Sequence, residues 1–141
     1  MTNPFTKSAK EARDRGEPDT ARRLTIEGRV VSKLIKHALK AGYTVSVYDG
    51  EEFPLKYATS YAKIIDACAS TDSDVLVFRR NDAAEHDGIG TYVGRVILVY
   101  GNEGYDVISD YAGGDDLEGF TAWLKPVEDY AEALGNGRVP A

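Results

Sequence analysis

The sequence predicts an α+β fold: an antiparallel sheet of about four strands with helices packed on one face, in the order α-β-α-β-β-β-α. Three observations carry that expectation. Apolar residues recur at intervals of three and four over residues 25–41 and again over 117–134, the spacing of a helix with one buried stripe. Two short β-branched runs, YTVSVY (43–48) and VLVFR (75–79), read as strands. Two further runs, VGRVILVY (93–100) and YDVISDY (105–111), flank Gly101, Asn102, Glu103 and Gly104, a four-residue connection rich in turn formers, and read as a hairpin.

Taken in order, residues 1–23 have no sustained apolar periodicity and are punctuated by Pro4, Gly16 and Pro18. They are expected to be a mobile charged arm, with at most a short helix over 7–15. The first long helix follows over 25–41, its stripe formed by Ile26, Val30, Leu34 and Ala38 with Val31, Ile35 and Leu39, and Gly42 is its stop. After the strand at 43–48, Asp49 and Gly50 open a polar loop through Glu51, Glu52 and Pro54. A second helix starts near 58–60, with Tyr61, Ile64, Ile65 and Cys68 on one side, and the turn-forming STDSD (70–74) ends it. Residues 81–90 form a polar loop between strands. Gly113 and Gly114 break the chain after the hairpin, and Asp115 or Asp116 caps a last helix whose stripe is Leu117, Phe120, Leu124, Val127, Ala131 and Leu134. Pro126 lies inside that stripe and is expected to kink or divide the helix. The expected organisation is an arm (1–23), one α+β domain (24–135) and a flexible tail (136–141).

The charge is divided by position. Residues 1–40 hold ten Lys and Arg against five Asp and Glu, whereas residues 41–141 hold seven against eighteen. Halves of opposite sign bear on what a protein attracts and repels. One cysteine, Cys68, forms no internal disulfide and builds no cysteine-rich metal site, and with only His37 and His86 beside it a zinc centre is not expected. No cofactor motif is present: Gly88, Gly90 and Gly94 lack the dinucleotide-binding spacing and precede a strand. No apolar run is long enough for a membrane helix, and residues 1–19 lack the apolar core of a secretory signal, so a cytoplasmic location and no membrane partner are expected.

Two constellations remain as candidate surfaces. Asp49, Glu51 and Glu52 share a loop, Asp106, Asp110 and Tyr111 share the second hairpin strand, and Asp115 and Asp116 share a helix start. Carboxylates interleaved with tyrosines suit a protein-binding surface that meets a basic target. Against this, Asp115 and Asp116 are explained by capping, and Tyr111 by packing beneath the helices. Arg29, Lys33, Lys36, His37 and Lys40 fall at i, i+4, i+7, i+8 and i+11, one face of the first long helix, with Arg22 and Arg23 upstream. That face is either the solvated back of an amphipathic helix or an anion-binding surface for nucleic acid. No catalytic constellation is read, and no metal site: carboxylates four residues apart on a strand are separated by about 13 Å and make no acid–base pair.

The pieces SVYDGEE, IIDACASTDSD and VYGNEGYDVISDY resemble small proteins carried by bacteriophages and prophages, over about two-thirds of the chain (43–134). The resemblance is one of style, without a catalytic motif, and no functional residue carries over from it. It implies an accessory role, of which host-defence antagonism is one kind, in a bacterial host's cytoplasm. The function so expected is non-enzymatic: binding and inhibiting or redirecting a host protein, a nucleic-acid-binding one among the candidates, through the acidic, Tyr-rich surface. The alternative is a nucleic-acid-binding module using the basic face. Homo-oligomerisation through the opposed charges is a third possibility.

Overall fold

Four helices and five strands make up the described residues, 3–82 and 88–138, of the computed structural model. They run α1 (Pro4–Asp14), α2 (Pro18–Lys40), β1 (Tyr43–Tyr48), β2 (Leu55–Ala58), α3 (Tyr61–Asp66), β3 (Ser73–Arg80), β4 (Tyr92–Val99), β5 (Ile108–Gly113) and α4 (Leu117–Gly135). The strands form one sheet in the order β2-β1-β3-β4-β5, every neighbouring pair antiparallel. The α+β class is therefore as expected, with a fifth strand.

Alternation along the strands decides where the core sits. Val45 and Val47 of β1, Leu76 and Phe78 of β3, and Val96 and Leu98 of β4 are buried together with Val30, Val31, Leu34 and Ile35 of α2, Ile64 and Ile65 of α3, and Phe120, Leu124 and Val127 of α4. One face of the sheet thus takes the apolar stripes of the helices, and burial of each large aliphatic side chain is worth about 1.5–3 kcal/mol. No helix among the described residues is long and apolar enough to cross a membrane.

The largest departure from expectation lies at the N-terminal end. Residues 1–23 do not read as an arm: α1 occupies 4–14, and α2 begins at Pro18, seven residues before the expected start. Asn3 caps α1 by accepting from the Phe5 N–H at 2.9 Å, and Pro4 and Pro18 stand at helix starts, where their missing N–H costs nothing. Phe5, Ala9 and Ala12 are buried against α2, which has a glycine, Gly28, where Phe5 crosses it. The punctuating prolines and Gly16 mark helix boundaries in a hairpin of two helices. Their presence does not signal disorder.

The extra strand, β2, hides within the expected polar loop. It is four residues long, lies at an edge, and pairs with β1 across a bulge in which Tyr57 takes φ +52° and donates its N–H to Ser46 Oγ at 2.9 Å. The hairpin connection is longer than four residues, since β5 starts only at Ile108. Val107 is buried within that connection, and its carbonyl accepts from Val99 N–H. Pro126 neither divides α4 into two elements nor ends it; Pro126, and Ala122 one turn before it, are both exposed, on the solvent side of the helix. Beyond α4, Arg138 N–H donates to the Ala133 carbonyl, so residues 136–138 of the expected tail close the helix end. The rest of that tail, 139–141, and His86 lie outside the described residues.

Candidate functional site

Helix α2 is the spine on which the basic residues stand. Arg22, Arg29, Lys33, Lys36 and Lys40 recur at seven, four, three and four, so they share one face along about 27 Å of helix. The docking of α1 turns part of that face into a groove. Its walls are Asn3, Phe5, Thr6, Ala9 and Arg13 from α1, Thr25, Gly28, Arg29, Ser32, Lys33 and Lys36 from α2, and Tyr130 from α4, enclosing about 630 Å³. Among the described residues that line it, four are cations and none is a carboxylate, in a protein whose net charge is −6. Lys33 Nζ lies 5.1 Å from the centre of the Tyr130 ring and Lys36 Nζ 5.0 Å from that of Tyr61, whose hydroxyl is 2.9 Å from Ser32 Oγ. These cation–π contacts hold both ammoniums against aromatic faces.

Two of the expected basic residues have structural duties. His37 turns into the protein: Nε2 donates to the Trp123 carbonyl at 2.6 Å, and the imidazole stacks on the indole with centroids 4.6 Å apart. Arg23 pairs with Glu27 at 3.0 Å. Glu27 is fully buried and its second oxygen accepts from Gly101 N–H at 2.8 Å, so this pair ties α2 to the β4–β5 connection. Burial holds the Glu27 carboxyl above its usual range against the pull of Gly101 and Arg23. Arg13, by contrast, enters the groove from the segment expected to be an arm. Its signal in the sequence was Gly28, a residue that costs an ordinary helix about 1 kcal/mol and is retained here for close helix packing.

The acidic candidates divide into three places. The strand register brings the β1–β2 loop, the α3–β3 turn and the β4–β5 connection to one end of the sheet, where Thr71 Oγ1 donates to the Asp49 carbonyl and Tyr100 N–H to the Asp72 carbonyl. Asp49, Glu51 and Glu52 lie at this end on the β1–β2 side with the exposed ring of Phe53, and Glu103 and Asp106 on the β4–β5 side with that of Tyr105. Asp115 and Asp116 lie at the opposite end, where β5 runs into α4. Asp110 lies between the two, on the sheet face away from the helices, while Tyr111 packs against Phe120 with centroids 6.0 Å apart. Several of these carboxylates serve the backbone. Asp49 Oδ1 accepts from the N–H groups of both Glu51 and Glu52 at 2.9 Å, and those two donors hold its carboxyl below the usual range. Asp106 accepts from Glu103 N–H, and Asp116 caps α4 through Gly119 N–H.

A buried polar cluster lies beneath the acidic end. Asp74 is 1% exposed; its Oδ2 accepts from Tyr100 Oη at 2.6 Å and from Ala69 N–H at 2.7 Å. Ala69 has φ +62°, so the carboxylate fixes a left-handed residue that ends α3. Asp74 Oδ1 has no partner, and burial raises its carboxyl. Cys68 is buried, donates to the Ile64 carbonyl, and has its thiol pushed up by the same burial, the opposite of an activated nucleophile. Among the described residues no group of three or more His, Cys, Asp and Glu is placed to hold a metal ion. Comparison of the chain with protein-family profiles, with curated proteins and with solved structures finds no match.

Proposed function

We propose that this protein is a non-catalytic binding module that takes nucleic acid along the basic groove between α1 and α2. The observation that carries the reading is a concave surface to which Arg13, Arg29, Lys33 and Lys36 contribute, on a chain that is acidic as a whole. Clustered Lys and Arg bind phosphates and release their counterions, and the local field of such a groove outweighs a modest net charge within a Debye length of about 8–10 Å. Tyr130 and Tyr61, each beside a lysine, offer apolar ring surface next to the positive charge, the combination that single strands use for base stacking and phosphate contact. Fluorescence anisotropy with labelled single- and double-stranded oligonucleotides across a salt series tests it. Binding should weaken linearly in log–log form, and Lys33→Gln with Lys36→Gln should reduce the slope by about 1.4–1.8. Absence of binding at low salt would sink the proposal.

A second reading keeps the accessory role: recognition of a basic host protein through the acidic end of the sheet. It is supported by Asp49, Glu51, Glu52 and Asp106 at one end of the sheet, with Phe53 and Tyr105 in the same loops each 42% exposed. Aromatic rings within a charged rim are the usual composition of a protein interface. Capture from nuclease-treated bacterial lysate, with Glu51→Lys, Glu52→Lys and Asp106→Lys as the comparison, separates the two readings. A partner set unchanged by the three reversals refutes this one.

A further inference from the structure

All the core-forming helices lie on one side of the sheet, and the other side carries an apolar band. Alternation sends Leu76, Phe78, Val96 and Leu98 toward the helices, and therefore sends Val75, Val77, Ile97 and Val99 outward, half-exposed. The register places Val75 opposite Ile97 and opposite Tyr48, whose ring is 4.9 Å from that of Phe53. In an antiparallel sheet with one solvated face the outward positions are ordinarily polar; the two central strands here present β-branched aliphatics instead. These four residues are half-buried and Ser46 beside Val77 is 3% exposed, so the band is a partly exposed apolar surface, and such a surface suits a contact.

Charge along the band identifies its occupant. Arg79 and Arg95 stand toward one end, Arg95 in the row of Val77 and Ser46. Asp110 stands in the next row, with Ile97, Val75 and Tyr48, and Asp49, Glu51 and Glu52 follow at that end. They outnumber Lys56, whose ammonium lies over the Phe53 ring. A two-fold axis in the plane of the interface, perpendicular to the strands and passing between these two rows, reverses the rows and keeps each strand over its own copy. Arg95 of each chain then lies over Ile97 and beside Asp110 of the other, while Val75 of each stacks on Val77 of the other. The face is self-complementary, as an isologous contact requires.

We infer that the open face of the sheet is a homodimer interface, two copies stacking sheet on sheet. The footprint is about 24 Å across five strands and about 20 Å along them, on the order of 1,000 Å² over both copies. That is the low end for specific interfaces, so the dimer is weak and depends on concentration. The basic groove, on the helix side of the sheet, stays accessible in it.

Sedimentation equilibrium of the full chain, from low micromolar to near-millimolar concentration, tests this. The wild type populates a dimer, Ile97→Lys is monomeric, and Arg95→Glu and Asp110→Arg each weaken association at least about tenfold. The double variant Arg95→Glu/Asp110→Arg restores it, a rescue that misfolding cannot mimic. Lys33→Glu with Lys36→Glu leaves it unchanged. A wild type that is monomeric throughout, a double variant no better than the singles, or loss of the dimer on reversing the groove lysines would each overturn the inference.

Discussion

Replacing Gly28 with alanine puts a methyl carbon 2.6 Å from Phe5 Cβ and 3.1 Å from Phe5 Cγ, where carbon atoms rest at about 3.5–4.0 Å. Neither partner is a flexible side-chain end, so α1 must move by about 1 Å. Such overpacking costs about 1–3 kcal/mol, against a gain of about 1 kcal/mol from removing a glycine in mid-helix. Global stability therefore changes little, by a loss of about 0–2 kcal/mol. The local effect is larger, because α1 has eleven residues and does not persist as a helix without its contacts. Hydrogen exchange of the amides of 5–14 reads this directly: protection should fall by about tenfold for each 1.4 kcal/mol of docking lost, while that of β3 and β4 is retained. Oligonucleotide affinity should fall with it, since α1 forms one wall of the groove. Undiminished protection in α1, together with a rise in melting temperature, would show that Gly28 is not the seat of Phe5 and would refute the packing argument.

Four further outcomes follow from particular contacts. Glu27→Ala leaves the Gly101 N–H without an acceptor and Arg23 without its pair, for a loss of about 2–4 kcal/mol in urea denaturation; Glu27→Gln, which still accepts from Gly101, should cost about 1 kcal/mol or less. Equal losses in the two variants would show that the charge, not the tie to Gly101, matters. Because the folded-state carboxyls of Glu27 and Asp74 are raised by burial, the folded chain holds protons that the unfolded chain has released, so stability falls as pH climbs from the ordinary carboxylate range through the raised values, and Glu27→Gln should flatten part of that descent. Asp49 has the opposite sign: its contribution is present above the ordinary value and is lost on acidification through the lowered one, so loosening of the β1–β2 loop at acid pH, followed by exchange at Glu51 and Glu52, should disappear in Asp49→Asn. Ala69→Gly relieves a left-handed residue costing about 1–2 kcal/mol and gives back part of this as chain entropy, for a net gain of about 0.5 kcal/mol, or about 2 °C in melting temperature.

What periodicity encodes was legible. The stripe of α2, that of α4 from Phe120 onward, the alternation of β1, β3 and β4, the stop at Gly42 and the cap at Asp116 all follow from local rules, whereas Leu117, read as the first residue of the α4 stripe, is 55% exposed because the helix starts there at the sheet's end. Two errors have separate causes. The stretch 1–23 lacks a long apolar stripe because α1 buries only Phe5, Ala9 and Ala12, and small residues carry little hydrophobic signal. The segment 55–58 has no clean alternation, because an edge strand with a bulge at Tyr57 pairs through its backbone.

The candidate surfaces divide in the same way. Local spacing determined that Arg22, Arg29, Lys33, Lys36 and Lys40 share a face, and that the chain is basic at one end and acidic at the other. Only the tertiary structure decided that α1 closes that face into a groove and supplies Arg13, that His37 leaves it for Trp123, and that Arg23 is held by Glu27. It also decided that Asp49 and Asp106 both lie at one end of the sheet while Asp116 lies at the other. The physical reason is that a helical face is fixed by contacts three and four residues apart, whereas a groove and a sheet end are made by residues brought together from distant parts of the chain.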